Sequence, residues 1–139
     1  MQKRTKVVLV MLLVMVFGCS ELAGKPRAKQ IPSGAWGGPH ISIEINNGTA
    51  TIEYDCANGT ISGPLKLDRR GNFSLSGTHV REHGGPIRVN EQRSGQTALY
   101  TGWTDGKKMT LTVRLANTNE SLGTFKLVHG QSGRVFKCK

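Results

Sequence analysis

Apolar and polar residues alternate along several short segments of the chain. Ile41, Ile43 and Ile45 occupy every second position, and Asn47-Gly48 follows them. A repeat of two places the apolar side chains on one face of a β-strand, and Asn-Gly is a frequent two-residue turn between antiparallel strands. The alternation resumes after the turn, so this segment predicts a β-hairpin.

The same pattern returns in the second half of the chain. The turn Asp105-Gly106 precedes an alternating segment from Met109 to Leu115. No ten-residue segment after residue 33 repeats with the 3.6-residue period of a helix, and the 18 glycines are about twice the usual share. Short strands joined by tight turns predict an all-β domain over residues 34–139. The expected architecture is an antiparallel meander of about eight strands that forms a small closed or partly closed barrel, with a sandwich as the alternative.

We expect large apolar side chains to fill the barrel interior. The residues that the alternation places on the inward face are Ile41, Ile43, Ile45, Ile52, Tyr54, Leu65, Leu67, Phe73, Leu75, Leu99, Trp103, Met109, Leu111, Val113, Leu115, Phe125, Leu127 and Phe136. Most of them are leucine or isoleucine, and no polar cluster interrupts them to orient a bound molecule. The sequence therefore predicts a core packed at ordinary density rather than a ligand cavity.

The first 18 residues have the pattern of a secretory signal peptide. Lys3, Arg4 and Lys6 form a basic start, and an uncharged apolar run follows from Val7 to Phe17. As a helix this run would span about 16 Å, which is short of the roughly 30 Å of a bilayer's hydrocarbon core. Residues 1–18 are therefore predicted to be removed on export rather than to cross a membrane.

The leader ends in Val16-Phe17-Gly18-Cys19, which resembles the lipobox of bacterial lipoproteins. The resemblance implies that Cys19 carries acyl chains such as palmitate, which hold the protein on the membrane. Ser20 at the next position implies the periplasmic face of the outer membrane rather than the inner membrane. Ordinary cleavage after a small residue, with Cys19 left as a free thiol, is the alternative. Residues 19–33 lack apolar periodicity and are predicted to form a flexible tether.

Two cysteines remain in the predicted domain, Cys56 and Cys138. An exported pair in an oxidising compartment is expected to form a disulfide. Such a bond closes a loop of about 80 residues and stabilises the fold by about 4.5 kcal/mol on the chain-entropy account. No C-x-x-C spacing is present, so we expect neither a metal site at these cysteines nor a bound cofactor.

Basic residues outnumber acidic ones, and the full chain has a formal net charge of +10. Three of the basic residues belong to the leader, which leaves a net charge of +7 for the exported chain. A positive chain in a bacterial envelope favours lipid headgroups and anionic polymers as neighbours, whereas nucleic acid is not expected there. The candidate contact residues are Arg69, Arg70, Lys107 and Lys108, which lie in two predicted turns. Solubility alone is the alternative explanation of these charges.

One motif near the first predicted strand resembles the lipocalins and related calycins. Gly34-Ala35-Trp36 matches their G-x-W pattern, and Arg134 lies in the last predicted strand. The resemblance implies that Trp36 closes one barrel end and that Arg134 stacks on its ring, a cation–π contact of about 0.5–2 kcal/mol. Without the resemblance, Trp36 is a buried tryptophan at the start of a strand.

Two broader resemblances concern bacterial envelope proteins. Trp36-Gly37-Gly38, Asp55-Cys56-Ala57, Gly84-Gly85-Pro86 and the segment 109–113 look like a family of small envelope proteins with no assigned activity. Tyr54-Asp55-Cys56 together with Cys138 is similar to lipoprotein inhibitors of lysozyme. In that comparison, Ser94-Gly95 before Tyr100 would correspond to the inhibitory loop.

A zinc-peptidase pattern, H-x-x-E-H, occurs from His79 to His83. The motif requires a helix that brings both imidazoles to one face. Gly77 and Gly84 bracket the segment and leave too few residues for a stable helix. On a strand the two rings would lie about 13 Å apart. We therefore expect two exposed loop histidines, and we identify no catalytic residues.

These observations predict a membrane-anchored, non-enzymatic binding or structural module of the bacterial envelope. It would contact anionic envelope components, or another envelope protein, through its basic loops. The alternatives are a lipocalin-like carrier of a small apolar ligand and a periplasmic protein similar to lysozyme inhibitors.

Overall fold

The computed structural model describes residues 29–86, 88–90 and 94–139. Eight strands form the regular structure of these ranges: β1 (Gly34–Gly38), β2 (Ile41–Asn46), β3 (Thr49–Tyr54), β4 (Ala57–Ser62), β5 (Asn72–Arg81), β6 (Gln96–Thr104), β7 (Lys108–Leu115) and β8 (Ser121–His129). Each strand pairs with the next in antiparallel orientation, and β8 pairs with β1 to close a barrel. The predicted all-β meander is confirmed, as a barrel rather than a sandwich. The predicted signal peptide and Cys19 lie outside the described residues.

The turn between β2 and β3 shows how local sequence sets the strand register. Asn46 pairs with Thr49, so Asn47 and Gly48 alone make the turn. Both residues have positive φ, 50° and 78°, the conformation of a two-residue turn whose twist matches that of the flanking strands. Ile43 consequently faces inward opposite Ile52, as the alternation predicted.

One end of the barrel, called here the closed end, is tightly packed. The β2–β3, β4–β5 and β6–β7 connections lie at this end. The inward side chains below them leave a void of only about 20 Å³. Ile31 is 6% exposed and covers this end. Its N–H donates to the Leu65 carbonyl at 2.9 Å, and the Leu67 N–H donates to the Lys29 carbonyl at 3.0 Å.

Residues 29–33, which the sequence assigned to the tether, therefore pack on the barrel. A single buried isoleucine produces no periodic signal, which is why the pattern placed the start of the domain at residue 34.

The opposite end, called here the open end, is not filled. The β1–β2, β3–β4 and β7–β8 connections surround it, and a cavity of about 450 Å³ opens there. The inward positions at this end include Ala57, His79 and Arg81, which are small or polar and do not fill the space. The expectation of a uniformly packed core is wrong for this half of the barrel.

Strand β6 presents the opposite face from the one predicted. Leu99 and Trp103 are 40% and 41% exposed, whereas Ala98 and Tyr100 are fully buried. Apolar residues occur at both alternating sets of positions in this strand, so the pattern alone did not distinguish its faces.

The inward face of β6 is set by fit to the neighbouring strand. A β-carbon at Gly102 would lie 2.8 Å from the Phe73 ring. Gly102 therefore faces inward, because the Phe73 ring already fills the space that a larger side chain would need. Phe136, also predicted inward, is 66% exposed in the C-terminal segment after β8.

Candidate functional site

Three rings from three strands form the wall of the open-end cavity. Tyr54 is the last residue of β3, His79 lies near the end of β5, and Phe125 lies in β8. The Tyr54 ring centroid is 5.5 Å from that of His79 and 5.6 Å from that of Phe125. Phe125 and the neighbouring Leu122 are only half-buried, so the cavity offers accessible apolar surface.

The Tyr54 hydroxyl is a buried polar group without a partner. Tyr54 is 6% exposed, and its hydroxyl makes no hydrogen bond within the described part of the chain. Tyr100, deeper in the barrel, instead donates its hydroxyl proton to the Thr78 carbonyl at 2.6 Å. Burial raises the pKa of Tyr54 well above its usual range, and the neighbouring Tyr100 adds to the rise. The Tyr54 phenol is therefore neutral, and its oxygen is buried behind the cavity wall next to Tyr100, while the Tyr54 ring faces the cavity.

His79 and Arg81 lie on the same face of β5. Burial lowers the pKa of His79, and the positive charge of Arg81 lowers it further, so the imidazole is neutral at neutral pH. Arg81 lines the cavity, and among the described residues its guanidinium has no ion-pair partner. The rim of the cavity thus includes one cationic side chain without an ion-pair partner in the described ranges.

The carboxylates at the rim already have partners. Asp55 accepts the Phe136 N–H at 2.7 Å and bonds to the His40 ring at 2.5 Å, and the pKa of Asp55 is lowered first by the Phe136 bond and then by His40. Glu82 accepts the Asn58 amide at 2.6 Å and lies 3.4 Å from Lys137 Nζ. Asp55 therefore stays ionised and Glu82 is paired with Lys137, whereas Arg81 has no ion-pair partner within the described ranges.

The C-terminal segment fixes one side of the rim. After β8 the chain turns back along β1, where the Arg134 N–H donates to the Gly38 carbonyl at 3.0 Å and the His40 N–H to the Arg134 carbonyl at 2.8 Å. Cys138 then forms a disulfide with Cys56, with Cα atoms 4.9 Å apart. The predicted disulfide is confirmed.

Lys137 adds an electrostatic contact beside this bond. Partial burial lowers the pKa of Lys137, but the hydrogen bonds and charges of Glu53 and Glu82 outweigh that effect and raise it. The ammonium group therefore stays charged and holds the segment against β3 and the end of β5.

Trp36 and Arg134 are the pair that the calycin resemblance places at one barrel end. Trp36 is fully buried, donates its indole N–H to the Pro32 carbonyl at 3.0 Å, and packs on the His129 ring at a centroid distance of 4.8 Å. Arg134 is exposed and lines a shallow surface pocket with Phe136. Stacking of Arg134 on the Trp36 ring stays a prediction.

The four predicted anion-contacting residues meet at the closed end. Arg69 and Arg70 lie in the β4–β5 connection, and Lys107 lies in the β6–β7 turn beside Lys108, the first residue of β7. The Thr104 N–H donates to the Gly71 carbonyl at 2.9 Å and joins the two connections. The structure thus brings these residues together, at the end of the barrel remote from the cavity.

The histidines of the zinc-like pattern are separated. His79 is buried on the inward face of β5, whereas His83 is exposed beyond the strand, so the expectation of two exposed loop histidines is wrong for His79. No group of three histidine, cysteine or acidic residues in the described ranges is arranged to hold a metal ion. Tyr100, part of the lysozyme-inhibitor comparison, is fully buried in β6.

The sequence did not identify the cavity residues as a site. Alternation from Phe73 through Leu75 and Gly77 places His79 and Arg81 on the inward face of β5, and this signal was available. Tyr54 was predicted to be inward, but its unpaired hydroxyl depends on where Tyr100 directs its own hydrogen bond.

No protein-family model, curated protein or solved structure matches the chain. Within the described ranges there is also no helix of sufficient length and hydrophobicity to cross a membrane.

Proposed function

We propose that this protein is a non-enzymatic binding module of the bacterial envelope and that its ligand site is the open end of the barrel. The ligand class is a small amphiphile with an apolar body and an anionic or strongly accepting group. The observation that carries the proposal is the cavity of about 450 Å³ at the open end, with the rings of Tyr54, His79 and Phe125 in its wall and Arg81 at its rim.

Size and wall chemistry favour a small molecule. Ligand pockets commonly measure about 300–1,000 Å³ and combine apolar walls with a few polar groups. Phe125, Leu122 and the Tyr54 ring supply apolar contacts, and Arg81 supplies a polar contact at the rim.

Arg81 provides a contact for an anionic group on that ligand. It stands at the rim without an ion-pair partner in the described ranges, whereas Glu82 is paired with Lys137 and Asp55 is bonded to His40. An anion placed near Arg81 would gain attraction inside a partly desolvated cleft, where charges interact more strongly than in water.

The proposal includes the location inferred from the sequence. Cys19 would carry the acyl anchor on the periplasmic face of the outer membrane, and the described chain begins at the closed end, at Lys29. The anchor would then attach on the side away from the cavity and leave the open end accessible. Intact mass of the membrane-extracted protein tests the acyl group: an unmodified cysteine would refute it.

A direct test of the cavity uses an anionic aromatic probe, anilinonaphthalene sulfonate, whose fluorescence rises in an apolar site. We expect Arg81→Gln and Phe125→Ala each to weaken probe binding severalfold, because one loses the rim cation and the other an accessible ring of the cavity wall. Arg114→Gln removes an exposed arginine from β7 and is the matched control, with unchanged binding expected.

The outcomes of this test are distinct. Equal weakening by Arg114→Gln would mean that overall charge, not the cavity, attracts the probe, and no effect of either cavity variant would refute the site. Native mass spectrometry of the protein from its own envelope then identifies a natural ligand by mass, and Arg81→Gln should reduce its retention.

A further inference from the structure

We propose that the closed end of the barrel is a docking surface for an anionic lipid bilayer. This surface, called here the basic end, is formed by six cationic side chains around one exposed tryptophan. Its residues are Lys29, Lys66, Arg69, Arg70, Trp103, Lys107 and Lys108. The inference is independent of the ligand site proposed above, because the two lie at opposite ends of the barrel.

Hydrogen bonds make the basic end one continuous surface. Residues 29–31 run beside the β4–β5 connection, where Gln30 pairs with Lys66. The indole N–H of Trp103 donates to the Arg70 carbonyl at 2.9 Å. On the far side, the His129 N–H donates to the Lys107 carbonyl at 2.9 Å.

The negative charges in these connections are engaged by the backbone. Asp68 accepts the Arg70 and Asn72 N–H groups at 2.7 and 2.8 Å, and Asp105 accepts those of Lys107 and Lys108 at 2.8 and 2.7 Å. Both carboxylates shape their turns. The connections and the entering segment therefore carry six cationic and two anionic side chains, a clear positive excess.

Five of the six cations form no salt bridge among the described residues. They are Lys29, Lys66, Arg70, Lys107 and Lys108. Their charges are available to a partner, and each basic residue near an anionic membrane surface contributes about 1 kcal/mol to binding.

Trp103 distinguishes a bilayer from a polymer that is only charged. Its ring is 41% exposed beside a shallow groove of about 120 Å³ lined by Leu67, Arg70 and Gly106. Tryptophan is favoured at the boundary between lipid headgroups and acyl chains, because its ring is apolar and its N–H is polar. The exposed Trp103 ring and the cations around it together complement a bilayer, because the headgroups of the bilayer are anionic and its interior is apolar.

The chain's connectivity places the same end toward a membrane. Lys29 enters the barrel at the basic end, and ten peptide bonds separate it from Cys19. That length spans at most about 35 Å when fully extended. An acyl group on Cys19 would hold the basic end near the bilayer, but the charge and the exposed indole argue for docking without it.

The experiment uses the two tryptophans of the chain as reporters. Trp36 is fully buried, whereas Trp103 is exposed, so a quencher located in the bilayer should reach Trp103 alone. The mature protein, purified from membranes, is mixed with vesicles of phosphatidylglycerol and phosphatidylethanolamine that contain a doxyl-labelled lipid. Vesicles of phosphatidylcholine with the same quencher are the neutral comparison.

We expect strong quenching with the anionic vesicles, little with the neutral ones, and loss of the effect at high salt. Trp103→Phe should abolish the quenching. Arg70→Gln/Lys107→Gln should raise the vesicle concentration needed for half-maximal quenching about tenfold or more. The matched control is Arg114→Gln/Lys126→Gln, which removes two exposed cations from the barrel wall and should change it less than twofold.

Three results would overturn the inference. Equal quenching by neutral vesicles would show that the acyl anchor, not the basic end, sets the orientation. Equal weakening in both double variants would show that only net charge matters. Absence of quenching together with binding to purified anionic wall polymer would assign the basic end to a polymer instead.

Discussion

The backbone of Gly59 lies directly against the hydroxyl of Tyr100. A β-carbon at Gly59 would lie 2.5 Å from the Tyr100 oxygen and 2.6 Å from the Thr78 carbonyl oxygen. The glycine in β4 thus makes room for the inward-facing ring of Tyr100 in β6, and it allows Tyr100 to reach its acceptor on β5. This contact joins β4, β5 and β6 on the inside of the barrel.

Gly59→Ala is expected to destabilise the protein by about 1–3 kcal/mol, because the added methyl group overpacks a region that includes immobile backbone. Urea unfolding followed by circular dichroism measures the change. Ser62→Ala, at an exposed position of the same strand, should shift stability by less than about 0.5 kcal/mol. Equal effects of the two substitutions would contradict the close contact.

The disulfide is expected to hold the C-terminal segment on the rim of the cavity. Cys56→Ala/Cys138→Ala should lower the free energy of unfolding by about 2–5 kcal/mol, because the unfolded chain loses a cross-link. The last residues should also become more sensitive to carboxypeptidase.

Chemical reduction of the wild-type protein is the matched control for the double variant. It should lower stability by a similar amount and should leave the double variant unchanged. A fully stable reduced protein would contradict the assigned role.

Burial of neutral His79 makes stability depend on pH. The folded-state pKa is lowered by burial first and by Arg81 second, so below about pH 6.5 the unfolded chain binds a proton more readily than the folded one. The contribution of His79 to the free energy of unfolding is therefore fully present above that pH. It decreases as the pH falls, by at most about 1.4 kcal/mol per pH unit.

His79→Gln should flatten the pH profile of unfolding free energy between about pH 6.5 and the lowered folded-state pKa. Ser74→Ala, at an exposed position of β5 that carries no titratable group, should leave the wild-type slope unchanged. Comparing each variant with wild type cancels the contributions of Asp55 and the other rim groups. A wild-type slope in His79→Gln would show that another group causes it.

The sequence was sufficient for the parts of the fold that depend on local patterns. Alternation from Ile41 to Ile45 and the Asn47-Gly48 turn specified a hairpin whose register the structure confirms. The disulfide followed from the number and location of the cysteines. These features depend on residues close in sequence or on a simple pairing rule.

The parts that were missed depend on fit between distant residues. The exposed face of β6 cannot be read from Leu99 and Tyr100, which are both apolar; it is set by Gly59 and Gly102 on the inside of the barrel. The cavity likewise results from small and polar inward positions on separate strands, such as Ala57 and His79. The alternation of apolar and polar residues within one strand does not reveal a cavity that several strands line together.

The two inward tyrosines should respond in opposite ways to the same substitution. Tyr100→Phe removes a hydroxyl that donates to the Thr78 carbonyl at 2.6 Å, and the loss should destabilise the protein by about 0.5–1.5 kcal/mol. Tyr54→Phe removes a buried hydroxyl that has no partner in the described part of the chain. Without ligand, Tyr54→Phe should leave stability unchanged or increase it slightly, because a desolvated donor is removed. Unfolding in urea followed by circular dichroism measures both effects. A clear loss of stability in Tyr54→Phe would contradict the absence of a structural partner and would assign that role to the neighbouring Tyr100.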